Sequence, residues 1–163
     1  MQFFPLLLFS FYVLSCASSE KEVIDYGLIQ TESITFSCDR RINQGMLLPV
    51  DIIYIQRFHM PGEVISLGPD QWFNHIEREK WEEKQTLSLK GGEEIQVKLN
   101  PLWMENTKFL IIFADFKDVN NPYSQQIILD ESAESRVKIL VMPSSLTPGR
   151  ADWSWVPSCL PGF

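Results

Sequence analysis

Between Pro49 and Arg57 the chain carries Val50, Ile52, Ile53, Tyr54 and Ile55, β-branched and aromatic residues that are apolar at odd and even positions alike. Side chains alternate between the two faces of a strand, so a strand apolar at both parities needs cover on both faces. This run therefore predicts a central strand. Shorter runs surround it. Ile34, Phe36 and Cys38 alternate with Thr35 and Ser37, and Val137, Ile139 and Val141 alternate with Lys138 and Leu140. Residues 109–114 form a continuous apolar block bounded by turn formers, and residues 86–89, 95–99 and 123–129 add further strand patterns. Lys90-Gly91-Gly92-Glu93 reads as a hairpin turn, because paired glycines supply positive φ. One helix is expected, with Asp70 as N-cap and Trp72, Phe73, Ile76, Lys80 and Trp81 on one face. The fold class is mainly β: an antiparallel β-sandwich of seven to eight strands over residues 33–142, with one short helical insertion.

At 163 residues, 45% hydrophobic and 21% charged, the composition suits one domain. Twenty-one acidic residues against fourteen Lys and Arg give a net charge of -7, the wrong sign for neutralising phosphates, so no nucleic-acid partner is expected. His59 and His75 stand apart, without Cys or carboxylate at zinc-site spacing, and no metal is expected. There is no phosphate-binding glycine loop and no Gly-x-Ser-x-Gly elbow. Glu77, Glu79, Glu82 and Glu83 interleave with Arg78, Lys80 and Lys84, the sign alternation of a solvated helix. The expectation is a protein that is not an enzyme, with no cofactor and no small-molecule substrate.

The first fifteen residues carry no charged side chain, and Phe3, Phe4, Leu6, Leu7, Leu8, Phe9 and Phe11 to Leu14 make them almost wholly apolar. The run is shorter than the roughly 20 residues of a membrane-spanning helix and fits the core of an export signal. It ends in Val13-Leu14-Ser15-Cys16, which resembles the bacterial lipobox. That resemblance implies a signal peptide over 1–15 and a covalent lipid, palmitate included, on Cys16 as the mature N-terminus. The competing reading is an ordinary cleaved signal with Cys16 a bystander thiol. Ala17 and Ser18 follow in place of the Asp that marks inner-membrane retention, implying the periplasmic face of the outer membrane. Residues 16–32 are then the lipidated N-terminus and a polar tether.

Lipid on Cys16 leaves Cys38 and Cys159. In an oxidising periplasm the two either pair, clipping the C-terminal tail onto the first strand, or Cys38 stays a buried free thiol. The tail, 143–163, holds Pro143, Pro148, Pro157 and Pro161, which predict irregular structure, while Trp153 and Trp155 are expected to pack back on the domain.

The order of features has a wider likeness. Asn43 and Gly45 precede the Pro49-Val50 strand, Trp72-Phe73 lies in an insert, Leu87-x-Leu89 leads to Gly91-Gly92-Glu93, and a strand closes in Ala114-Asp115-Phe116-Lys117-Asp118. This resembles the outer-membrane lipoproteins of type VI secretion systems (TssJ type). The resemblance implies a transthyretin-like β-sandwich and a non-catalytic role: holding the periplasmic domain of an inner-membrane secretion protein to the outer membrane. It also implies that the loop between the first two strands makes the contact. Here that loop is residues 39–48, with Arg40, Arg41, Asn43, Met46, Leu47 and Leu48 as the binding residues; Leu47 and Leu48 alternatively enter the core. The other reading of the chain is a lipid-anchored binding module or assembly pilot for a different envelope component.

Overall fold

A computed structural model describes residues 27–56, 61–117 and 122–149. Eight strands form two four-stranded sheets, one ordered β4-β1-β7-β8 and the other β3-β2-β5-β6. The strands are β1 (Ser33–Cys38), β2 (Leu48–Gln56), β3 (Lys84–Leu89), β4 (Glu94–Lys98), β5 (Thr107–Ala114), β6 (Gln126–Leu129), β7 (Arg136–Met142) and β8 (Ser145–Pro148). Most neighbours are antiparallel, but β1 and β7 run parallel, with Ile34 beside Val137 and Cys38 beside Val141.

β2 is the doubly covered strand that its composition demands. Val50, Ile52 and Tyr54 face the other sheet among Ile34, Phe36, Leu110, Ile112 and Ile139, while Ile53 and Ile55 join a second core with Ile111, Phe113, Val64 and Trp72. Each fully buried aliphatic or aromatic side chain contributes about 1.5–3 kcal/mol, so the two faces of β2 and β5 carry much of the stability.

The cover on the outer face is α1 (Pro61–Asn74), interrupted at Gly68, whose φ of 66° and ψ of 172° end one helical piece before Pro69 starts the next. Asp70 therefore lies inside the second piece and is not its N-cap. Ile76, expected on the buried face, is 71% exposed, because α1 ends at Asn74 and Ile76 falls in the break before the short α2 (Glu77–Lys80), so the helical periodicity does not carry through to it. Trp72 does reach the core, where its Nε1 donates to Asp51 Oδ2 at 2.9 Å. A third short helix, α3 (Pro101–Met104), begins with Asn100, whose side chain accepts from the Leu102 amide.

Three further differences from the sequence reading have simple causes. Gly91-Gly92 does not close a hairpin: β3 and β4 belong to different sheets, and the glycine pair turns the corner between them. Alternation identifies a strand but not the sheet that receives it. The Pro-rich tail begins with an ordered strand, since β8 pairs with β7 from Met142↔Ser145 to Ile139↔Pro148. An edge strand tolerates proline at its end, where no ladder bond is lost. Finally, packing starts before residue 33, with Ile29 and Thr31 already buried.

Candidate partner-binding surface

Strand directions divide the sandwich into two ends. β1 rises from Ser33 to Cys38, and the chain crosses between sheets through residues 39–47 before β2 descends. The β3–β4 corner, the segment after β5 and the β7–β8 turn lie at this same end. Residues 27–32, α3 and the β6–β7 turn lie at the other, about 20 Å away along the six residues of β1.

The β1–β2 loop is held by its own side chains. The Asp39 carboxylate accepts from the Arg41 amide at 2.8 Å, and Ile42 plugs fully into the inter-sheet core. A 3-10 turn over Ile42–Gly45 places three successive residues at positive φ: Asn43 at 46°, Gln44 at 57° and Gly45 at 82°. Such geometry is natural for glycine and tolerated by asparagine, but it costs on the order of 1 kcal/mol or more at glutamine. Asn43 holds it in place. It is buried, its Nδ2 donates to Leu47 O at 2.8 Å, its Oδ1 accepts from Lys117 N at 2.9 Å, and its own amide donates to Pro143 O at 3.1 Å. The β3–β4 corner closes the other side: Gly92 N donates toward Cys38 O and Asp39 O at 3.2 and 3.3 Å.

The six loop residues named from sequence thus separate into two groups. Arg40, Arg41, Met46 (36% exposed) and Leu47 (58%) face solvent. Asn43 and Leu48 do not: Leu48 is fully buried at the start of β2, and Asn43 shapes the loop from within. Cys38 is half-buried and has no disulfide partner among the described residues; burial and, secondarily, the Glu93 charge raise the pKa of its thiol. Cys16, Cys159, Trp153 and Trp155 lie outside the described residues.

One charged residue with a structural part went unnoticed in the sequence reading. Asp51 is fully buried, yet accepts from Trp72 Nε1, from Thr86 Oγ1 at 2.8 Å and from Arg78 through Nε at 2.7 Å and a second guanidinium nitrogen at 3.3 Å. Arg78 also stacks over Phe73, 4.7 Å from the ring centre. The signal was available, since Asp51 is the one charged residue of β2. Among the described residues no group of three or more His, Cys, Asp or Glu side chains is placed to hold a metal, and no helix is long and apolar enough to cross a membrane.

Two facing four-stranded sheets with a helical insert outside one of them define a β-sandwich with mixed strand order. Within that class, this is the fold of the type VI secretion lipoproteins, the TssJ-like sandwich. A chain of a Type VI membrane complex superimposes with a TM-score of 0.57 at 16% identity, over 74% of this chain and 98% of that one. Lip from Serratia marcescens, a membrane-bound component of the Type VI Secretion System, gives 0.56 at 13% identity, over 76% and 98%. The T6SS lipoprotein TssJ1 from Pseudomonas aeruginosa gives 0.51 at 16%, over 73% and 95%. No protein-family model and no curated protein matches the sequence, so the likeness is one of fold.

Proposed function

We propose that this chain is a non-catalytic lipoprotein of a type VI secretion membrane complex, joined through lipid on Cys16 to the periplasmic face of the outer membrane. Its task is to hold the periplasmic domain of an inner-membrane component, which it grips through the β1–β2 loop. The observation that carries this reading is the polarity of the sandwich. The chain reaches the domain from Cys16 at the end bearing Gly27, and the loop with Arg40, Arg41, Met46 and Leu47 occupies the opposite end. A tether needs its two attachments apart, and the body supplies about 20 Å between them. The fold supports the reading because it is shared with lipoproteins of that system.

Two measurements test it. Cells given labelled palmitate should incorporate it into the wild-type chain and not into Cys16→Ser; persistent labelling of the variant removes the anchor. Membrane co-purification should recover an inner-membrane secretion component with the wild type. Met46→Asp and Arg40→Ala should each weaken that recovery, and unchanged recovery with both refutes the role of the loop.

A further inference from the structure

Other exposed residues share the end of the sandwich that carries the β1–β2 loop. Three separate stretches of the chain are bonded to the β1–β2 loop and its entry from β1. Asp39 N donates to Val141 O at 2.8 Å, Asn43 N to Pro143 O, Lys117 N to Asn43 Oδ1, and Gly92 N to the carbonyls of Cys38 and Asp39. These bonds place Met142, Lys117 and Lys90 on the same end as Arg40, Arg41, Met46 and Leu47. All three are exposed, Met142 at 43%. A methionine left open at the end of a strand, on the same end as a second exposed methionine and a leucine, offers adaptable apolar surface there.

The charge at this end runs against that of the chain. Among the described residues of the connections at this end, 39–47, 90–93, 115–117 and 143–144, Arg40, Arg41, Lys90 and Lys117 stand with three acids, Asp39, Glu93 and Asp115, while Glu94 at the start of β4 is paired with Lys138 at 3.0 Å; the whole chain has fourteen cations against twenty-one acids. Asp39 is already engaged by the Arg41 amide and lies 3.7 Å from Arg41 Nε. Partial burial raises the Asp115 pKa, the first of its causes, with Arg78 opposing and Asp70 reinforcing.

We infer that Met142, Lys90 and Lys117 belong to the binding surface, and that its partner is a protein face with an apolar centre rimmed by Asp and Glu. This rests on the tether reading above and specifies the chemistry of what is held. The cations steer encounter and the apolar centre holds the complex, so the two sets of residues act on different rate constants. An acidic membrane offers a similar charge but no fitted apolar face, and it is the competing occupant that the test must separate.

The test uses the full chain, extracted in detergent, and the purified periplasmic domain of the inner-membrane component from the same cell. Lys90→Glu and Lys117→Glu should each slow association about tenfold at low salt with little change in dissociation, and the difference should shrink as salt rises. Met142→Asp should speed dissociation about tenfold or more. All three residues are exposed, so thermal midpoints should stay at the wild-type value and confirm folding. If Met46→Asp abolishes binding while these three variants bind as wild type, the extended surface is refuted and the tether stands. If the wild type itself does not bind the domain, both fall. Full-length Cys16→Ser chain mixed with phosphatidylglycerol-containing vesicles supplies the last arm. Binding that is lost in Lys90→Glu and Lys117→Glu overturns the protein partner in favour of a lipid surface, and no binding supports the inference.

Discussion

Gly91 packs so closely on the backbone of Arg40 that a Cβ at position 91 would overlap the Arg40 carbonyl oxygen and stand 2.9 Å from its carbon. Both partners are backbone, so no rotamer change relieves the contact. Gly91→Ala is expected to displace the β1–β2 loop, lowering the thermal midpoint by several degrees and weakening partner binding more than stability. Gly62→Ala, where nothing lies within 4 Å of the added methyl, is the control and should leave both unchanged or slightly improved.

Asn43 is expected to matter through hydrogen bonds and not through contact with a partner. Asn43→Ala removes the donor to Leu47 O and the acceptor for Lys117 N, at a cost of about 1–3 kcal/mol for the groups left unpaired. Asn43→Asp keeps the acceptor. Hydrogen exchange at the Lys117 amide should accelerate in the alanine variant and stay slow in the aspartate variant.

Breaking the Asp51–Arg78 pair from one side should be among the most damaging single changes available. Arg78→Ala leaves a fully buried carboxylate with, among the described residues, Trp72 and Thr86 as side-chain donors, and a loss of about 3–5 kcal/mol is expected in urea unfolding. The double variant Asp51→Asn with Arg78→Met should recover part of the loss, because no uncompensated charge then remains. A double variant as unstable as Arg78→Ala would show that packing around Phe73, and not charge, sets the cost.

Tyr54 gives a prediction in alkali. Its hydroxyl bonds to Gln85 Oε1 and accepts from the Asn100 amide at 3.0 Å, and its ring meets Trp103 edge-on at 5.1 Å. Burial pushes its pKa up to about 12, with the Asn100 bond acting in the opposite direction. The neutral phenol is favoured in the folded state, so this stabilisation is complete below the unfolded value near 10 and is lost as pH rises toward about 12. Between those limits the stability of the wild type should fall more steeply with pH than that of Tyr54→Phe. Parallel slopes would contradict the shift.

The strands could be read from the sequence where periodicity and composition agree. The β7 boundaries, Arg136–Met142, follow from alternation alone, and β2 from being apolar at both parities. What could not be read depends on partners distant in the chain. Alternation cannot show that the glycine pair passes from one sheet to the other, or that Ser145–Pro148 finds an edge to pair with. The loop was visible as an interval between two strands too long for a tight turn, with Met46, Leu47 and Leu48 as apolar tips. Which of its residues face outward was not, because the inward turn of Asn43 depends on Lys117 and Pro143, and the burial of Leu48 on its place in β2. Asp51 shows the same limit: a charge in an apolar run signals a buried partner, but Arg78 stands 27 residues away.

The position of β1 also determines how the domain bears mechanical load. A force applied between Gly27 and the β1–β2 loop runs along β1, which is flanked by β4 through five paired positions and by β7 through six. Ladder hydrogen bonds lie across the strand direction, so such a pull shears both rows together instead of peeling them one bond at a time. A strand placed mid-sheet in this way resists extension between its two ends with every rung at once, so the domain is built to stay folded when it is pulled along β1.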